Sequence, residues 1–370
     1  MENKKHVMAD HHPTKTGSCL FLGCILWIAL VFQPVFAQEE YSVMAPLAVH
    51  SLLLDTATTV SSVVAVGERG HILISRDGAQ TWEQMKVPSR STLTGVFFVN
   101  HNLGFAVSYF QEIFRTQDGG KTWKIIYNNP EDERPFLDIW IKDAKSGFAI
   151  GAYGLMVRTR DGGNTWKPEP LTITRTLGRE KGISDEESVL FAALGGQDEE
   201  DEFGDFEDPG IGNDISLYQM AKSSTGKIFI AGEIGTIYRS EDGGESWDAL
   251  DSPYHGSFMG VLPLGENSLL FYGLRGHLYR TDDDGDTFKR LDSGTEATLM
   301  GGIRLDDGTV IITGLAGAVI LSRDRGENFT NYTHPSRKHI VSVLVPNDDT
   351  LVLIGQFGIK KLSLNTFFVQ

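Results

Sequence analysis

Short runs that alternate apolar and polar residues cover most of this chain, each broken by a glycine-rich turn. That two-residue period predicts half-buried β-strands, and helical periodicity is scarce. The unit at 93–127 shows the grammar. Strands are expected at 93–99, 104–108, 112–116 and 122–127, with Asn100 to Leu103 as the first turn. The same four-strand pattern recurs at 51–87, 136–168, 215–250, 257–291 and 298–331, although the first strand of 51–87 is less distinct. A last unit, 339–364, shows three strands.

The turn before each fourth strand carries a repeated motif. It reads Ser75-Arg76-Asp77-Gly78-Ala79-Gln80-Thr81-Trp82 in the first unit and Thr116-Gln117-Asp118-Gly119-Gly120-Lys121-Thr122-Trp123 in the second. Further copies centre on Asp161, Asp242, Asp283 and Asp324 and end on Trp166, Trp247, Phe288 and Phe329. Successive aspartates stand 41, 43, 81, 41 and 41 residues apart. A fixed period near 41 means one supersecondary unit copied along the chain, each copy burying its apolar face against its neighbours. Asp and Ser/Thr side chains bond to nearby amides, and glycine supplies positive φ, so the motif reads as a loop staple. The closing aromatic is large enough to wedge between sheets. Asp282 to Asp286 lacks the glycine spacing and distal Glu of an EF-hand, which excludes that reading.

Six copies in register resemble the Asp-box, or bacterial neuraminidase repeat, of sialidases, sortilin and the photosystem II stability/assembly factor family. Arrays of such units form β-propellers. The fold expected is all-β, a seven-bladed propeller of four-stranded antiparallel blades. Residues 41–46 resemble 82–88 and are expected to close the ring as the fourth strand of the last blade, removing free edges. Eight blades also fit the length: 333 mature residues give about 41.6 per unit, and removing 171–214 leaves about 41.3 for seven. Content favours seven. Within 171–214 there is one apolar stretch, 188–194, followed by 198–208 with eight acids and no base. Such a stretch supplies no further blade, so 171–214 is expected to be an acidic insertion.

The N-terminus reads as a signal peptide at 1–37, leaving a single propeller domain at 38–370. Lys4, Lys5 and Lys15 precede an apolar run at 19–31, and 35–37 suits cleavage. The alternatives are an uncleaved anchor or a lipidated Cys24. Both cysteines lie in the leader, so a cleaved chain has none for disulfides, thiol catalysis or zinc. Net charge is −16, and −17 after cleavage, which argues against nucleic acid as a partner. No metal site and no cofactor are expected.

In an up-and-down sheet the aspartate loops share one face with the first-to-second loops. The opposite face gathers a second motif, Gly-x-x-Gly, beginning at Gly67, Gly151, Gly232, Gly273, Gly314 and Gly355, with 108–111 departing from it. Two glycines around two variable residues suit a two-residue hairpin. The variable pairs, Glu68/Arg69, Tyr109/Phe110, Ala152/Tyr153, Glu233/Ile234, Leu274/Arg275 and Gln356/Phe357, are free to answer to a ligand, and the partner-binding candidates among them are Glu68, Arg69, Tyr109, Tyr153, Glu233, Arg275 and Phe357. The insertion is expected on this face too. First strands should line a central channel, where Gly95, Asp138, Gln219, Gly260, Gly301 and Ser342 match. Asp138 and Trp140 join the partner-binding candidates. Arg115, Arg158, Arg239 and Arg280 recur before the aspartate loops and suggest bracing.

The stretches 232–247 and 252–288 resemble the photosystem II stability/assembly factor family most clearly. That resemblance implies a non-enzymatic, exported assembly factor, periplasmic or lumenal and peripheral to the membrane. Its implied partner is a membrane protein or membrane transporter complex, held by a monomer with no small-molecule cofactor. Photosynthetic members use an arginine-rich patch, whereas here Arg69 and Arg275 alone occupy the corresponding loops, which sets a photosystem partner in doubt. The alternative is a carbohydrate-active, sialidase-like glycoside hydrolase. The Phe/Tyr-Arg-Ile-Pro motif of sialidases is absent, and Arg304 and Arg337 are not tied to a Tyr-Glu pair.

Overall fold

The computed structural model describes residues 40–176, 214–347 and 349–364. The leader and most of the acidic insertion lie outside the described residues. Residues 53–363 form a seven-bladed β-propeller of antiparallel sheets, each running up and down from the hub outward. The blades span 53–85, 93–128, 136–168, 217–249, 258–291, 299–333 and 340–363.

The middle strands explain the layout. Val63–Gly67, Gly104–Ser108, Gly147–Gly151, Ile228–Gly232 and Val310–Gly314 are buried along their whole length. A sheet covered on both faces needs a near-continuous apolar run instead of alternation. Outer strands such as Lys124–Asn128 and Thr330–Thr333 are largely exposed. The core is accordingly not central but divided into seven slabs between neighbouring blades. In blades 2 to 4 the closing aromatic of the aspartate loop fills such a slab. Trp123 meets Phe98, Trp166 meets Phe105 and Trp247 meets Phe148 edge to face, with centroids 6.1–6.2 Å apart.

The ring closes differently from expectation. Residues 41–46 do not pair with the last blade, whose sheet has three strands among the described residues. They run instead beside the outer strand of blade 1. The Ser42 amide donates to the Val87 carbonyl (2.8 Å), and Ser42 Oγ accepts the Val87 amide (3.0 Å). The Gln84 amide group bonds Val43 and Ala45. These four bonds satisfy the segment locally, which removes its need of a distant edge. Closure falls to the inner strands: Leu53–Thr58 packs against Ile340–Asn347, and Thr56 Oγ1 lies 2.8 Å from Ser342 Oγ.

A second departure concerns the start of the insertion. Ile173–Thr176 adds a fifth strand to blade 4, parallel to Trp247–Ala249. Thr172 accepts the Trp247 amide at 2.9 Å, and Leu171 and Ile173 pack on that slab. Residues 171–176 thus belong to the blade.

Candidate functional site: the loop face opposite the aspartate turns

The aspartate loops answer to their own turns. Asp161 accepts the amides of Asn164 and Thr165 and the Thr165 hydroxyl, and Thr159 Oγ1 donates to it at 2.9 Å. The Thr165 amide and hydroxyl hold that carboxyl down at about 2. The recurring arginines brace each loop to the next blade. Arg158 donates to the Gly244 carbonyl (3.0 Å) and to Glu245. Arg239 reaches the Asp284 carbonyl and Asp286, and Arg280 the Arg325 carbonyl. Arg115 bonds Asn164. Chemistry spent on self-support leaves little for a ligand on that face.

On the opposite face the Gly-x-x-Gly loops of blades 1, 3, 4, 5 and 6 depart from the expected hairpin by one position, whereas that of blade 7 keeps it, with Gly355 paired to Gly358. At blade 1 the His71 amide donates to the Glu68 carbonyl, with Arg69 (φ 57°) and Gly70 (φ 71°) at the centre. This is a type I′ turn whose central pair is the second variable residue and the second glycine. The first glycine serves a close approach. A Cβ on Gly151 would stand 2.0 Å from the Pro135 carbonyl oxygen, where the chain enters the first strand. Two of the first variable residues face inward: Glu68 accepts the Leu52 amide and Glu233 the Ser216 amide. Those two candidates therefore brace the entry to their blades.

The second variable residues are exposed. Arg69, Tyr153, Ile234 and Arg275 sit at φ between 52° and 57°, where Asn, Asp and Gly are the usual occupants. For a β-branched or bulky side chain that conformation costs about 1 kcal/mol or more. Tyr153 is 58% exposed and Ile234 49%. In blade 2 Tyr109 and Phe110, 49% and 62% exposed, meet edge to face with centroids 5.6 Å apart. Blades 2, 3 and 4 thus each present an exposed apolar tip, an arc with Arg69 on blade 1 and Arg275 on blade 5 at its ends. Arg134 lies on the arc, donating to the Tyr153 carbonyl and paired with Asp132 at 2.6 Å. Ile234 and Phe110 are the exposed second members of variable pairs whose first members, Glu233 and Tyr109, are the candidates from sequence. Phe357 stands apart, half-buried against His334 at 5.6 Å between centroids.

The hub forms a channel with a cavity of about 430 Å³. Asp138 and Gln219 line it, whereas Trp140 stacks on Phe148 (6.5 Å) between blades 3 and 4. Each hub acceptor reaches the next blade. Asp138 accepts the Met220 amide (2.8 Å) and Gln219 the Val261 amide (2.9 Å). Asp55, at the matching position of blade 1, accepts the Val96 amide (2.8 Å). The register of 53–58 against 63–67 reveals that equivalence, which the weak pattern of the first strand concealed. Burial pushes the Asp55 carboxyl up to about 7 and Asp138 to about 6. Raised carboxylate pKa values favour the protonated fold, so this contribution is full below pH 4 and is lost as pH rises through 6 to 7. Asp55→Asn keeps the oxygen that receives the Val96 amide and removes the charge. Its unfolding free energy, measured by urea titration, should match that of the parent at pH 4 and exceed it at pH 8, by on the order of 2 kcal/mol or more.

No family model and no curated relative matches this chain. Solved structures do. YCF48 bound to a D1 peptide is 18% identical, covering 87% of this chain and 93% of its own, with a TM-score of 0.61. YCF48 from Cyanidioschyzon merolae is 16% identical, covering 88% and 99%, with a TM-score of 0.62. A streptogramin B lyase is 11% identical, covering 87% and 96%, with a TM-score of 0.64. Identities this low carry the fold, and the chain is a seven-bladed propeller built like YCF48, the photosystem II assembly factor.

Proposed function

We propose that this protein is an exported, non-enzymatic scaffold that holds a membrane-protein partner, or a membrane transporter complex, on its Gly-x-x-Gly face. The observation that carries this reading is the exposed arc of Tyr109, Phe110, Tyr153 and Ile234 across three consecutive blades. Apolar patches on one rim of a rigid scaffold mark contact surfaces. Tyr153 and Ile234, at φ 52° and 53°, strain their turns, so these two side chains serve something other than the turn. YCF48 with a D1 peptide bound supports a partner of this kind, because the same architecture there receives a segment of another protein. A cleaved leader at 1–37 would deliver the monomeric domain to the periplasm or lumen, beside the membrane.

The glycosidase alternative finds less support. Arg304 ends an inner strand on the aspartate-loop side, whereas Arg337 sits in a blade connection on the other face. They cannot grip one carboxylate together.

The test is the quadruple variant Tyr109→Ser, Phe110→Ser, Tyr153→Asn and Ile234→Asn. Partner recovered by crosslinking in cells should fall at least about tenfold. The melting temperature should hold or rise, since Asn relieves the left-handed positions. Undiminished recovery would refute the face assignment, and turnover of a fluorogenic glycoside panel would refute the non-enzymatic reading.

A further inference from the structure

Among the described residues the seventh blade stops one strand short. Among the described residues its outermost strand, Gly358–Ser363, pairs on one side only, with Thr350–Gly355. The other six blades carry a strand outside the equivalent position. Gly355 stands opposite Gly358, and the Leu364 amide donates to the Asp349 carbonyl at 2.8 Å. Antiparallel alternation then turns the backbone groups of 358, 360, 362 and 364 inward and those of Ile359 and Lys361 outward. The start of the edge is closed by the turn Ala48–His50, since Val49 lies against Gly358. What stays open runs from Ile359 to Leu362.

Charge shows what fits there. Lys360 and Lys361 are exposed on this edge and point to opposite sides of the strand. Lys360 lies toward blade 6, where its charge is felt by His334. Lys361 bonds the Gln80 side chain of blade 1. Two lysines on an edge deter apolar strands. A second copy pairing edge to edge would set lysine against lysine. An acidic extended segment meets neither obstacle. Leu362 and Leu364 also pack with Tyr332 in the slab between blades 6 and 7, leaving that slab without the aromatic that other blades draw from the aspartate loop.

We propose that this edge is a docking site for an extended, acidic segment of a partner protein, added as the missing fourth strand. Main-chain hydrogen bonds from Ile359 and Lys361 supply affinity, and the lysine pair supplies selection for two adjacent acids, one on each side of the added strand. This surface is separate from the apolar arc and does not depend on it.

The test uses the full chain and a fluorescent peptide of about eight residues, with two adjacent glutamates flanked by valines. The net charge of −16 gives such a peptide little reason to bind elsewhere. Saturable binding is expected, weakened at least about tenfold in Lys360→Glu/Lys361→Glu. N-methylation at one set of alternate peptide residues should abolish binding, and at the other set should leave it unchanged. Equal effects from both sets would reduce the contact to charge alone and overturn the proposal. So would equal binding of a lysine-containing peptide. Binding seen only after removal of 365–370 would give the edge to the chain's own tail and overturn it as well.

Discussion

Trp247→Ala should lower the stability of this propeller by about 3–5 kcal/mol, read as a fall in the urea midpoint with an unchanged slope. Trp247 is 1% exposed and closes the slab between blades 3 and 4 against Phe148, Tyr238 and Met156. The fifth strand of blade 4 seals it from outside through the Thr172 carbonyl and the Thr174 hydroxyl, which reaches the Trp247 carbonyl. Truncation leaves a cavity that rigid sheets on both sides cannot collapse into. Trp247→Phe should stay within about 1 kcal/mol. The same position holds phenylalanine in blades 5 and 6, and the indole nitrogen has no hydrogen-bond partner to lose. Trp82→Ala should cost less, because Trp82 is only half-buried. A Trp82 variant as damaging as the Trp247 variant would show that burial between blades is not what the aromatic contributes.

Gly276→Ala should be of similar severity for a different reason. Gly276 sits at φ +70°, and a Cβ there would stand 1.8 Å from the Thr295 carbonyl oxygen in the connection to blade 6. Backbone cannot yield as a flexible side chain would, so the turn or the connection must move. A loss of about 3 kcal/mol or more is expected. Gly265→Ala is the control. Its φ is +108° with nothing within 4 Å, so conformational strain alone applies, about 1–2 kcal/mol. Equal midpoints for the two variants would mean that the second glycine is retained for its φ alone.

These two positions show how legibility divided between sequence and structure. The period of the aspartate loops was readable because each loop is held by neighbours within five residues, as at Asp161 with Thr159 and Thr165. The strands of blade 2 were readable for the same reason, with 104–108 and 112–116 as expected and the flanking strands ending within two residues. Residues at the tips were only partly readable. Arg69, Tyr153 and Arg275 are exposed, whereas Glu68 and Glu233 brace the entry of their own blades and Trp140 packs between blades. Asp55 was missed because its strand shows a faint pattern, and only pairing with 63–67 sets it level with Asp138.

By itself, then, the sequence determined the repeat, the turn chemistry and the sheet content of this protein, since local hydrogen bonds and the two-residue period do not depend on distant chain. Only the tertiary structure decided the destination of 41–46, the fifth strand of blade 4, the open edge of blade 7 and which members of the variable pairs are exposed. Each of those is settled by which surfaces compete across tens of residues for the same backbone groups and the same slab.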